Sequence, residues 1–477
     1  MRRGTFLAGM VIMTLTLSAA QAAAPVSFTR VVPDFVADLS PLGIAVADID
    51  GDGKLDLVVA NNDGDSVSVL WGDGMGGFLD SGAPFSTAID NTDDGGVAPF
   101  AVAVADFNHD GKLDIVTSDE ISDTVTVLLN QGNRSFAAGV STDVGGDPQG
   151  IVVADFDGDN LPDVAVANNF DGTVSILHNV DNGTLFLAQT VTIGADVEPT
   201  GLALADLDGD GRSDLVVANS FGGVDCTATA ACKSGSVSVL KGVAGGLFEA
   251  EPEIPLLSDC VTSECVPVAV AVADLNGDSK PDIIVANNED DSVSVLLGNC
   301  NLTFNPAPGS FPGVASSPEW VVAADFDRDG RMDIATSGDF DNKVSVLHGN
   351  GDGTFTPTMP TVDSLFDVGL GPFGIVAADF NGDHKRDIAS ANADDGTVSV
   401  LLNTTTPAQS CAGDCNGNGQ VSVDEVITLV NITLGSVCTV GGAQVSTCTA
   451  GDLNGDQQIT IDEIVVAVNK ALNGCTL

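Results

Sequence analysis

An acidic nonapeptide that occurs seven times limits what this chain can fold into. "DIDGDGKLD" spans Asp48–Asp56. Its relatives are "DFNHDGKLD" from Asp106, "DFDGDNLPD" from Asp155, "DLDGDGRSD" from Asp206, "DLNGDSKPD" from Asp274, "DFDRDGRMD" from Asp325 and "DFNGDHKRD" from Asp379. Successive copies start 58, 49, 51, 68, 51 and 54 residues apart. A period of that size is one supersecondary unit repeated in space. It suits a four-stranded blade and is too long for the coil of a short β-helix.

Every copy sits in the same frame. A proline stands seven residues before its first Asp: Pro41, Pro99, Pro148, Pro199, Pro267, Pro318 and Pro372. Two residues after it comes Gly or Ala, except Trp320 in the sixth copy. The proline reads as a rigid turn into a strand such as "GIAVAD" (Gly43–Asp48), and the small residue lets strands crowd near a central axis. After the acidic loop come "LVVAN" (Leu57–Asn61), a short turn, and "SVSVLWG" (Ser66–Gly72), or their equivalents. The last of these alternates in period 2, as half-buried strands do. A Gly-rich turn ending in Phe then leads to a fourth strand.

The expected fold is therefore all-β, a seven-bladed β-propeller over residues 25–406. The seventh copy stops after "TVSVLLN" (Thr397–Asn403), and "VSFTRVVPDF" (Val26–Phe35) supplies the missing strand. That exchange closes the ring and removes open sheet edges.

The loops carry the chemistry. Positions 1, 3, 5, 7 and 9 are Asp48, Asp50, Asp52, Lys54 and Asp56 in the first copy, and Asp106, Asn108, Asp110, Lys112 and Asp114 in the second. They are Asp155, Asp157, Asp159, Leu161 and Asp163 in the third, and Asp206, Asp208, Asp210, Arg212 and Asp214 in the fourth. They are Asp274, Asn276, Asp278, Lys280 and Asp282 in the fifth, Asp325, Asp327, Asp329, Arg331 and Asp333 in the sixth, and Asp379, Asn381, Asp383, Lys385 and Asp387 in the seventh. Position 7 varies in type, which suits a ligand offered by the backbone carbonyl. Hard oxygens at this spacing wrap one cation of calcium's size, with magnesium the second choice. The loops also account for much of the charge. The chain carries 67 acids against 16 Lys and Arg, and four loops with four acids plus three loops with three hold 25 of them. A net charge of −51 argues against nucleic acid and anionic membranes as partners.

These repeats resemble the FG-GAP/VCBS family, whose loops also occur in integrin α-subunit propellers. The resemblance covers roughly Pro25 to Thr406 and rests on the DxDxDGxxD pattern in register. It implies about seven calcium ions, each held between the first and second strands of a blade. Position 6 departs from Gly at Asn160, Ser279 and His384, which points to weaker or distorted sites there.

Residues 407–477 follow a different pattern. "DCNGNGQVSVDE" places Asp414, Asn416, Asn418, Gln420, Ser422 and Glu425 at positions 1, 3, 5, 7, 9 and 12 of a twelve-residue calcium loop. "DLNGDQQITIDE" repeats it with Asp452, Asn454, Asp456, Gln458, Thr460 and Glu463. Each precedes an apolar helical run, Val426–Leu434 and Ile464–Leu472. The pair resembles a dockerin-like EF-hand module, a small α-helical domain holding about two more calcium ions. The resemblance implies a cohesin-like partner. The partner-reading positions here are Val423–Asp424 and Ile461–Asp462, where that family commonly has small hydroxyl residues. Cys438–Cys448, and Cys475 with Cys411 or Cys415, are candidate bridges.

Residues 1–24 read as a cleaved secretory signal. Arg2 and Arg3 precede an apolar run from Phe6 to Leu17, and small residues follow at Ala20–Ala24. The alternative, a membrane anchor, has too short an apolar run. The mature chain is expected to lack a membrane span and to be extracellular or at the cell surface, where its ten cysteines can form disulfides.

Two Cys-bearing insertions, Phe221–Gly235 and Leu256–Pro267, are expected on the face opposite the loops. Cys226, Cys232, Cys260 and Cys265 could staple them, and the edge they form is a candidate recognition surface. Catalysis finds little support, since no nucleophile elbow, phosphate loop or zinc motif is present. His109 and His384 lie in the loops, and His178 and His348 end equivalent strands. Three functions stay open: an extracellular binding or adhesion module for a protein or carbohydrate, a polysaccharide lyase or hydrolase carrying a dockerin-like tag, and a structural surface protein.

Overall fold

A computed structural model describes residues 26–80, 82–87, 96–137, 139–180, 182–194, 197–222, 235–256, 266–308, 312–356, 364–405, 438–440 and 443–445. The propeller falls in one compact unit, Pro25–Pro407. It contains seven antiparallel sheets, one per repeat. In the first, Pro41–Ala47, Asp56–Asn61, Ser66–Gly72 and Phe78–Asp80 pair in that order, with Phe85–Ser86 extending the outer edge. The acidic nonapeptide is the link between the first and second strands of each sheet, as the frame predicts.

The innermost strands stand beside one another around the ring, and Pro372–Ala378 of the seventh blade lies against Pro41–Ala47 of the first. Small residues make that approach possible. A Cβ on Gly43 would lie 2.7 Å from Ala101 Cα of the next blade. Each proline begins its strand in five of the seven blades, and the residue before it is often left-handed, as at Ser40, Ala98 and Asp147.

Closure follows the predicted exchange. Phe28–Arg30 pairs antiparallel with the seventh blade, Phe28 opposite Asn403 and Arg30 opposite Leu401. Phe35–Val36 pairs with Val398 and Thr397 of the same strand. Ser27 N donates to Thr405 Oγ1 at 2.8 Å, and Arg30 Nη1 reaches Val368 O of the sixth blade at 2.8 Å.

The core is not central. Seven apolar clusters lie between neighbouring blades, one per interface. Both faces of each sheet are therefore covered. This corrects the expectation of half-buried third strands: Ser66–Gly72 is buried at every residue. Its alternation separates Val67 and Val69, which fill the interface, from Ser66 and Ser68, whose hydroxyls accept from Asn61 Nδ2 at 3.1 and 3.0 Å. Among the described residues no helix is long and apolar enough to cross a membrane.

The signal segment, both twelve-residue loops, the two helical runs after them, and most of both Cys-bearing insertions lie outside the described residues. Within 407–477 the structure describes one hairpin, Cys438–Val440 with Ala443–Val445, and no helix.

Candidate metal centres

The seven loops share one hydrogen-bond scheme. The position 1 carboxylate accepts from the backbone N–H of position 6, as Asp48 Oδ2 does from Gly53 N at 2.9 Å. Position 3 accepts from the N–H of position 5, as Asp50 Oδ1 does from Asp52 N at 3.1 Å. Position 5 accepts from the N–H of position 7, as Asp52 Oδ1 does from Lys54 N at 3.0 Å. These three bonds fold side chains 1, 3 and 5 back onto the loop's own backbone.

The loop demands left-handed backbone twice. Position 6 has φ of 85° at Gly53, 69° at Asn160, 64° at Ser279 and 65° at His384. The three non-glycine loops keep the same turn, with Asn160 N, Ser279 N and His384 N bonded to position 1 at 2.8–2.9 Å. They are strained rather than distorted. Position 4 is left-handed too, and sequence reasoning missed it because His109 and Arg328 interrupt the glycines there, at φ 55° and 63°.

Position 9 does more than the spacing implied. Asp56 is buried and both its oxygens are taken: Oδ2 by Ile49 N at 2.9 Å and Oδ1 by Gly72 N at 2.8 Å. The same pair of bonds recurs at Asp114, Asp163, Asp214, Asp282, Asp333 and Asp387. This carboxylate ties the loop to the end of the third strand. Burial pushes the Asp56, Asp114 and Asp387 carboxyls up to about 6, against the pull of those N–H donors.

At position 7 the lysine side chains fold back onto position 5. Lys54 Nζ meets Asp52 Oδ2 at 2.9 Å and Lys280 Nζ meets Asp278 Oδ2 at 2.7 Å, which holds both position 5 carboxyls below their usual range.

The donor set suits a hard dication. Asp48, Asp50 and Asp56 bring one oxygen each within 4.8 Å of one another, as do Asp155, Asp157 and Asp159, and Asp206, Asp208 and Asp210. Asp48 Oδ1 is buried with no hydrogen-bond partner, an orphan acceptor at the first loop. A divalent ion would satisfy it.

The sixth position counted from the start of the third strand carries Trp71, Leu129, His178, Lys241, Leu297, His348 and Leu402 in turn, and at His178, Lys241 and His348 it reaches loop carboxylates. Lys241 Nζ pairs with Asp208 and also lies 3.3 Å from Asp210 Oδ2. His348 Nδ1 is 3.0 Å from Asp327 Oδ2 and 3.3 Å from Asp333 Oδ1. Burial opposes its charge, but those two carboxylates hold the imidazole up to about 10. A cavity of roughly 170 Å³ opens between the first two loops, lined by Trp71, Arg134, Asp50 and Lys112 among others. The cavity is on the loop face, whereas sequence reasoning looked to the opposite one. Cys300 is exposed and free.

The profile of the FG-GAP-like repeat matches residues 48–117, 106–166, 155–217, 274–336 and 335–390, more than half of the chain. The chain belongs to the FG-GAP-like repeat family. The FG-GAP repeat matches residues 199–240 as well. Two solved structures of BBS1N in complex with ARL6DN, one soaked with mercury and one with lead, resemble this FG-GAP-like chain in fold. The first has a TM-score of 0.52 at 12% identity, covering 80% of this chain and 98% of that one. The second has 0.53 at 11% identity, covering 81% and 99%. No curated protein matches the chain.

Proposed function

We propose that this chain is a secreted calcium-binding propeller that serves as an extracellular binding module for a protein or carbohydrate ligand. The observation that carries the calcium reading is the shared loop scheme. Seven loops share the bonds from positions 1, 3 and 5 to their own backbone beside a buried position 9 carboxylate, and Asp48 Oδ1 is left without a partner. Repulsion among those carboxylates opposes the fold until a cation offsets it. In this reading residues 1–24 are a cleaved signal and residues 407–477 form a dockerin-like module with two more calcium loops. The binding role rests on the architecture: a rigid ring that presents many loops.

Calcium titration of the mature chain tests the metal. With affinities on the order of 10⁻⁴–10⁻³ M, about 10 mM calcium stabilises each site by about 1–3 kcal/mol. The melting temperature is then expected to rise by more than about 10 °C over the chelated protein. A melt that ignores chelator ends the calcium reading. A glycan array with and without calcium tests the ligand class, and a blank array shifts the search to protein partners.

A further inference from the structure

The loops fall into two electrostatic classes, and the partner position sorts them. Asn stands at position 3 in the second, fifth and seventh loops, and each of those blades has Leu at the sixth position counted from the start of its third strand: Asn108 with Leu129, Asn276 with Leu297, Asn381 with Leu402. Asp stands at position 3 in the other four, and each of those has a nitrogen-bearing side chain set against it. Asp50 meets Arg134, which lies 2.7 Å away and stacks over Trp71 at 4.6 Å. Asp208 meets Lys241. Asp157 and Asp327 meet His178 and His348.

Arginine and lysine can only pair with a carboxylate, whereas an imidazole can also ligate. We infer that the third and sixth loops are a separate class of metal site, each taking a first-row transition dication of the cobalt or zinc type through a histidine Nδ1 and two aspartates. His348, Asp327 and Asp333 form one site, and His178, Asp157 and Asp163 the other.

The ligand atoms of each set lie within 4.8 Å of one another. In the sixth blade Asp327 and Asp333 are 6% and 0% exposed, and the His348 side chain is 13% exposed. Its Nδ1 is itself buried and, despite the closeness of both carboxylates, makes a hydrogen bond to neither. In the third blade His178 Nε2 lies 3.1 Å from Gly246 O. A carbonyl only accepts, so Nε2 carries the hydrogen and Nδ1 is left facing Asp157 Oδ2 at 3.7 Å. A second ring nitrogen bonded to a backbone carbonyl is how metal-binding histidines are oriented. The ion takes the place of any Nδ1 proton. Calcium prefers an all-oxygen shell, while imidazole with carboxylate suits the transition ions.

This inference rests on the reading of the loops as metal sites, and one experiment separates the two. The untagged full chain is titrated with Co²⁺ in excess calcium and followed by calorimetry and visible absorption. Two Co²⁺ ions per chain are expected to stay bound, with nitrogen-dependent absorption bands. His348→Lys and His178→Lys keep the charge pairing seen at Lys241 but cannot supply the imidazole, so each is expected to remove one ion and weaken its site about 100-fold or more. His348→Leu, which copies Leu297, guards against a folding defect in the lysine variant. No Co²⁺ held against calcium, or a count that survives both lysine variants, overturns the inference. A chain that holds two Co²⁺ but gains no stability from calcium keeps this inference and loses the calcium reading.

Discussion

The two ends of each blade are joined by opposite chemistry. At the loop end the joint is a buried carboxylate that accepts two backbone N–H bonds, and it is Asp in all seven blades. At the far end the joint is a carboxamide in five blades. Asn61, Asn168, Asn219, Asn287 and Asn392 each donate from Nδ2 to two hydroxyls of the third strand. The other two blades put Asp119 and Gly338 there. The difference lies in what each joint bonds. The loop-end partners are backbone donors, so the acceptor has no substitute. The far-end partners are Ser and Thr hydroxyls, which donate or accept as asked.

The largest effect is expected from removing the closing strand, which touches both ends of the seventh blade. Residues 25–38 reach the loop end of the seventh blade through Ser27 and Thr405, and its far end through Asp34, which accepts from Ser399 Oγ at 3.1 Å. Deleting them exposes a sheet edge and part of the apolar cluster around Phe28 and Phe326. The melting temperature is expected to fall by more than about 10 °C. A melt within a degree or two of the full chain would mean that the ring closes by other means.

Next comes the loop-end joint alone. Asp282 is fully buried, with Leu275 N at 2.9 Å and Gly298 N at 2.8 Å on its two oxygens. Asp282→Asn turns one acceptor into a donor that faces a donor. In chelator, where no metal contributes, it should cost about 2–4 kcal/mol by urea denaturation. A loss below about 0.5 kcal/mol would show that the joint is only a metal ligand.

The far-end joint gives a smaller effect of opposite sign. Asp119 is buried and accepts from Thr117 Oγ1 at 2.7 Å and Thr124 Oγ1 at 3.1 Å. Burial pushes its carboxyl up to about 7, against those hydroxyls. A raised carboxyl pKa means the folded state holds a proton that the unfolded chain has released. Stability therefore falls as pH rises from near 4 through about 7, and the cost is complete above that. Asp119→Asn installs the joint of Asn168, whose partners Thr173 and Ser175 match Thr124 and Thr126. It should gain about 1–3 kcal/mol at about pH 8 and little at about pH 4. A gain equal at both pH values would show that charge is not the cause.

The same contrast decides how much could be read from the residues. Blade number, ring closure by Val26–Phe35 and the loop's place between two strands follow from local frame and period, so the repeat displays them. The double duty of position 9 does not, because its second partner is 16 residues away on another strand, as Gly72 is from Asp56. His178 and His348 read as strand ends for the same reason: only the sheet brings them against Asp157 and Asp327. The half-buried reading of the third strands failed because period 2 cannot tell a solvent face from a neighbouring blade.

The smallest effect sharpens the loop end further. Ser279 holds φ 64° at position 6, where Gly53, Gly111, Gly211 and Gly330 hold 83–85°. A left-handed residue with a Cβ costs about 1–2 kcal/mol, part of which glycine gives back through the entropy of the unfolded chain. Ser279→Gly is therefore expected to stabilise the chain by about 0.5–1 kcal/mol and to leave the Asp274 bond to position 6 in place. A neutral or destabilising outcome in chelator would mean that the Ser279 turn is relaxed, and that the fifth loop differs from its glycine relatives in more than one dihedral angle.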